Sequence, residues 1–164
     1  EGTQAALMLS SGIAAIRLAL QSVLPESGGR ILAAQSIYGA TESFLASEVT
    51  TLRREVARFD ATNAASLIAL LDRPADAIYV ESISNPCVEV ADLQRICELA
   101  QRANVPVLVD ATFGGGMNHR AFALGARLVI HSATKYLNGH SDVIAGAVAG
   151  SQSDIDRVHA LVVR

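Results

Sequence analysis

Lysine is almost absent from this 164-residue chain: of its thirteen basic residues, only Lys135 is not an arginine. Excess positive charge is lacking too, since the net charge is −3 and acids and bases are interspersed. Nucleic acid and anionic membrane surfaces are therefore not expected partners. No apolar run approaches the roughly 18 to 20 residues that span a bilayer. Cysteine is reduced to Cys87 and Cys97, which lie outside any paired metal spacing. No basic and hydrophobic signal segment opens the chain, so a reducing cytoplasm is the expected compartment. Internal repeats, low-complexity tracts and interior linkers are missing as well.

What is present is an apolar content of 51%, enough to bury a sizeable core in one globular domain. The chain starts EGTQAALML, with Glu1 rather than methionine in first place, and ends in DRVHALVVR within an amphipathic pattern. It reads as a piece of a longer protein.

Short β-rich runs alternate with helical patterns. A helix begins near Ser11, with Ile13, Ile16, Leu20 and Val23 at helical spacing before Pro25 closes the segment. RILAA, REVARF, AIYVE, PVLVDA and RLVIHS read as strands, and VIAGAVAG as a further apolar run. ATESFLASEVTTL, AASLIALL, DLQRICELAQRA and a short RAFALGA read as helices. The alternation predicts an α/β fold with a mostly parallel sheet flanked by helices.

Such a sheet binds ligands beyond the carboxyl ends of its strands. Glu81 ends AIYVE, Asp110 lies near the end of PVLVDA, and Ser132, Thr134 and Lys135 follow RLVIH. Three neighbouring crossovers thus deliver polar groups to one rim. Any one of these residues can be a cap or a turn; all of them together, with the solitary lysine, point to chemistry.

Arginine cannot lose its proton and attack a carbonyl, whereas lysine can. An amine able to form a Schiff base, a carboxylate able to face a ring nitrogen, hydroxyls, and a helix N-terminus at SSGI for a phosphate describe a pyridoxal phosphate site. Tyr38, in SIYGAT after the first strand read, is placed to offer an aromatic face to the ring.

The stretches SGIAAI, ESISNP, VDATF and SATKYLNGHSDVIAG, in this order and spacing, resemble the Cys/Met-metabolism family of pyridoxal phosphate enzymes. That family includes cystathionine synthases and lyases, methionine gamma-lyase and homoserine-ester sulfhydrylases. The resemblance implies a fold type I large domain, with Lys135 as the Schiff-base lysine, Asp110 as partner of the ring nitrogen and Tyr38 as the ring-stacking tyrosine. It implies Gly12 and Ile13 as a phosphate-binding backbone pair, Ser132 and Thr134 as side-chain phosphate ligands, and Asn85 near the cofactor's phenolic oxygen. Thr112, within VDATF, joins the cofactor contacts, and Glu81 stands behind them as a supporting acid. An amino-acid substrate and a homo-oligomer, a tetramer built as a dimer of dimers, follow from the same resemblance.

Some residues depart from the family pattern. FGGG, Phe113 to Gly116, replaces bulkier residues and predicts a mobile loop. Arg127 stands where an aspartate is usual and is expected on the surface. A Tyr-x-Arg pair reaching the neighbouring subunit's phosphate, and a C-terminal arginine holding the substrate carboxylate, are not in the chain, so the piece alone is expected to turn over poorly.

Rival readings are weaker. His119, His131 and His140 match no metal-binding pattern, and FGGG lacks the spacing of a dinucleotide fingerprint. The one serious alternative from another class is a non-catalytic remnant of the fold, kept as an interaction or oligomerisation module.

Overall fold

The structure, a computed structural model, describes residues 1–163. Seven strands form one sheet: β1 (Ala5–Leu9), β2 (Arg30–Ala34), β3 (Glu55–Phe59), β4 (Ala77–Glu81), β5 (Val107–Asp110), β6 (Leu128–His131) and β7 (Gly146–Gly150). Their spatial order is β1-β7-β6-β5-β4-β2-β3. β6, β5, β4, β2 and β3 are parallel, while β7 runs against both β6 and β1. Every residue of β2, β4, β5, β6 and β7 is buried. Runs such as AIYV, VLV and LVI are what a sheet covered on both faces requires.

Among the described residues, five α-helices lie between strands, α1 (Gly12–Val23), α2 (Gly39–Thr51), α3 (Ala65–Ile68), α4 (Leu93–Arg102) and α5 (Gly115–Asn118), and α6 (Gln152–Val162) follows β7. α4 has the sharpest apolar face. Leu93, Ile96, Cys97, Leu99 and Ala100 are buried at helical spacing, and the Asp92 side chain accepts from the Arg95 amide to cap its start. None of the described helices is long and apolar enough to cross a membrane.

One helical reading is corrected: AASLIALL gives only the four residues of α3, followed by turns that run to Pro74, which has no N–H to continue a helix. The Arg30 guanidinium takes the Leu70 and Arg73 carbonyls there at 2.7 and 3.2 Å. RAFALGA forms its short helix as a 3-10 turn at Ala121–Leu124, closed by Gly125 in the left-handed region. β1 and α6 were not assigned from the sequence. β1 is a half-covered edge strand whose only partner, β7, is 145 residues away at the Ala5–Gly150 pairing.

Candidate active site

Because β1 runs antiparallel to β7, and β7 antiparallel to β6, β1 points the same way as the parallel strands. The chain therefore leaves β1 at the rim where β4, β5 and β6 end, and α1 starts there. Ser11 caps it by accepting the Ala14 amide at 3.2 Å. The next amides, of Gly12 and Ile13, find no acceptor among the described residues, as the first turn of a helix dictates. Two glycines let this helix end settle deep. A Cβ at Gly12 would stand 2.7 Å from the Ser132 Cβ, and one at Gly146 would overlap the Ser11 carbonyl oxygen.

Ser132 and Thr134 follow β6. The Thr134 hydroxyl accepts the Ala145 amide at 2.9 Å, which leaves its proton to the Ala145 carbonyl at 3.1 Å or to an anion in the cavity. The Ser132 hydroxyl has no partner among the described residues, while its amide donates to Thr112 Oγ1 at 2.8 Å. Two free amides at a helix start and two available hydroxyls make an anion cradle.

Asp110, the last residue of β5, is buried. Its Oδ1 accepts the Thr112 amide at 2.9 Å; among the described residues its Oδ2 meets only the Tyr79 hydroxyl, at 3.4 Å. Burial pushes the Asp110 carboxyl above the usual carboxylate range, against the Thr112 hydrogen bonds and the nearby His131, which pull it down. No cation stands at ion-pair distance from this carboxylate among the described residues, and a protonated ring nitrogen would be such a partner.

Glu81 ends β4 beside Asp110, with which it is in register. One oxygen accepts the Tyr38 amide at 2.6 Å and the other the Asn85 amide at 3.1 Å. Burial pushes its carboxyl up to about 7; the Tyr38 bond opposes this, the Asp110 charge adds to it, and the Asn85 bond opposes it.

Lys135 is exposed and makes no ion pair or side-chain hydrogen bond among the described residues. It faces a cavity of about 290 Å³ that is also lined by Gly12, Ile13, Tyr38, Glu81, Asn85, Asp110, Thr112, Ser132 and Thr134. All ten residues singled out from the sequence therefore meet in one place. The volume lies near the lower end of the roughly 300–1,000 Å³ usual for small-molecule sites. Ile13, one of the apolar residues at helical spacing in α1, is exposed at this cavity.

The apolar wall from Ile83, Phe113 and Ile144, and the buried Tyr79 beneath Asp110, were not found from the sequence. Apolar residues next to polar motifs carry no signal that separates lining from core. Phe113 also meets Tyr136 edge to face, with ring centroids 5.7 Å apart, and Gly115 and Gly116 begin α5. Arg127 is exposed and pairs with Asp154 at 2.9 Å. His131 pairs with Glu1, His140 is exposed against the Asn138 carbonyl, and burial pushes the Cys97 thiol up to about 11.

The residues fit pyridoxal phosphate: a free amine, a buried carboxylate without a cation and an anion cradle border one cavity. Comparison with known proteins agrees. An L-methionine gamma-lyase of Pseudomonas putida is 37% identical over 158 residues, which cover 96% of this chain and 39% of that protein. The solved cystathionine gamma synthase of Xanthomonas oryzae pv. oryzae, in complex with cystathionine, superposes with a TM-score of 0.91 at 30% identity, covering 96% of this chain and 41% of its own. A Campylobacter jejuni protein solved with N'-pyridoxyl-lysine-5'-monophosphate superposes with a TM-score of 0.86 at 27% identity, covering 95% of this chain and 38% of its own. The chain thus spans about two fifths of the length of these relatives. The family model for Cys/Met metabolism PLP-dependent enzymes matches residues 1–163, and the chain belongs to that family.

Proposed function

We propose that this chain is part of the pyridoxal phosphate-binding large domain of a transsulfuration-type enzyme. The whole protein acts on a sulfur-containing or homoserine-derived amino acid by β- or γ-elimination or by γ-replacement. The observation that carries this reading is the convergence of Lys135, Asp110, Tyr38 and the α1 amides on one cavity.

When bound, pyridoxal phosphate supplies an electrophilic carbon for an amine and a ring that draws electrons from the substrate's α carbon. Lys135 Nζ is the amine that would hold the cofactor covalently and, once free, would serve as the base for the α-proton. Asp110 would keep a proton on the ring nitrogen, a pairing that its burial would strengthen. Gly12 and Ile13 would offer amides, and Ser132 and Thr134 hydroxyls, to the phosphate. Tyr38 would offer its face to the ring and Asn85 would lie near the phenolic oxygen, while Thr112 ties the end of β5 to the exit of β6 and holds Asp110 in place.

The substrate carboxylate and the far side of the phosphate need groups beyond these residues, which the reading assigns to other parts of a cytoplasmic homo-oligomer. A non-catalytic remnant would have no use for a free amine and a cation-seeking carboxylate on one cavity. Assays of the full-length protein with cystathionine, methionine and O-acylhomoserines test the reading. Release of a keto acid or thiol, or sulfur exchange, from at least one is expected; inactivity toward all of them would sink it.

A further inference from the structure

Glu81 is buried, yet no arginine, lysine or histidine pairs with it among the described residues. It also borders a second cavity of about 110 Å³, whose polar lining of Gln35, Ser36, Asp60, Thr62, Ser84 and Glu89 brings no cation. A carboxylate so placed is costly to the fold. What it does have is a separate amide on each oxygen: Tyr38 N–H at 2.6 Å and Asn85 N–H at 3.1 Å.

These two amides belong to segments that leave the sheet at this rim: the last strand contacts are Gln35 N–H to the Phe59 carbonyl and Ser82 N–H to the Asp110 carbonyl, both at 2.8 Å, and beyond them Glu81 takes the Tyr38 and Asn85 amides. Tyr38 is the residue before α2, and no side chain caps that helix. Asn85 lies in the loop after β4. Tyr38 is half exposed, so packing alone does not fix it. We propose that Glu81 is a positioning residue that holds Tyr38 and Asn85 at set places on the wall of the cofactor cavity, each by its backbone amide. The inference rests on the proposed cofactor reading for its purpose, and on the two hydrogen bonds for its existence.

The chemistry explains why glutamate stands here. A carboxylate accepts at both oxygens, whereas glutamine accepts at one and presents its own N–H groups to the second amide. Aspartate keeps both acceptors but is one methylene shorter and cannot span from β4 to both segments. Glu81→Gln therefore preserves volume, removes the buried charge and breaks one of the two contacts.

Residue-resolved hydrogen exchange on the full-length protein tests this without any cofactor. In the wild type the Tyr38 amide should be protected despite the residue's exposure, and in Glu81→Gln exchange at Tyr38 or Asn85 should rise at least about tenfold while the β4 amides keep their rates. In the loaded protein, the visible circular dichroism of the cofactor should fall by at least half in Glu81→Gln with an equal amount of cofactor bound. A Tyr38 amide that is unprotected in the wild type overturns the proposal even if no variant folds. Unchanged exchange at both amides in the variant overturns it too, as does an equal rise throughout β4, which would make Glu81 a support of the sheet. The expected amide pattern in a protein that takes up no pyridoxal phosphate would instead overturn the cofactor reading and leave the two-amide clamp standing.

Discussion

Gly12 and Ser132 approach so closely that a Cβ on the glycine would stand 2.7 Å from the serine Cβ and 2.8 Å from its hydroxyl. This contact seats the start of α1 against the exit of β6, which brings free amides and hydroxyls together. Gly12→Ala must push the helix end away or displace Ser132. The expected result is pyridoxal phosphate affinity weakened by roughly tenfold or more, equivalent to about 1.4 kcal/mol. Spectrophotometric titration of the full-length variant measures it, and wild-type affinity would show that the cradle lies elsewhere.

On the proposed cofactor reading, Asp110→Asn removes the charge that would keep a ring nitrogen protonated and leaves Lys135 untouched. The variant should still take up cofactor while turnover falls by roughly a hundredfold or more. Comparing bound cofactor with kcat in one preparation separates the two effects. A variant that keeps near-normal kcat would remove Asp110 from the chemistry.

Glu81 gives a stability prediction with a definite sign. Burial raises its carboxyl from the ordinary 4.5 to about 7, so between those values the folded protein keeps a proton that the unfolded chain has lost. Its contribution is fully present below about pH 4.5 and is lost as pH rises through about 7. Glu81→Gln does not titrate. In the cofactor-free protein, the stability of the variant relative to wild type should therefore improve across this window, by roughly 3 kcal/mol at most. Denaturant unfolding at a series of pH values reads the difference directly, and a flat difference between pH 4.5 and 7 contradicts the assignment.

The features legible in the sequence were those set by local pattern. Buried runs such as AIYV and VLV name parallel strands, and the position of Glu81, Asp110 and Ser132 at strand ends follows from where those runs stop. Asp110 and Lys135 were readable because a fold of this class places strand ends on one rim. What the pattern hid is non-local. β1 finds its strand partner, β7, at the far end of the chain and packs on α1 and α6, and the Leu70 carbonyl after α3 is taken by an arginine 40 residues upstream. The two amide bonds of Glu81 have the same character. The one to Tyr38 spans 43 residues, and no periodicity marks a carboxylate that grips a distant backbone.

The central claim is that Lys135 holds the cofactor, and borohydride trapping tests it most directly. Pyridoxal phosphate added to the full-length protein should give a visible absorption band, and reduction should fix one cofactor to the peptide containing Lys135. Since no other lysine occurs in this chain, the modified peptide identifies the residue within it. Lys135→Arg keeps the charge and most of the side-chain stem but cannot form the bond, so it should lose the band, the labelled peptide and turnover while remaining folded. A Lys135→Arg protein that still carries trapped cofactor on the same peptide, or turns over at near the wild-type rate, would contradict the account.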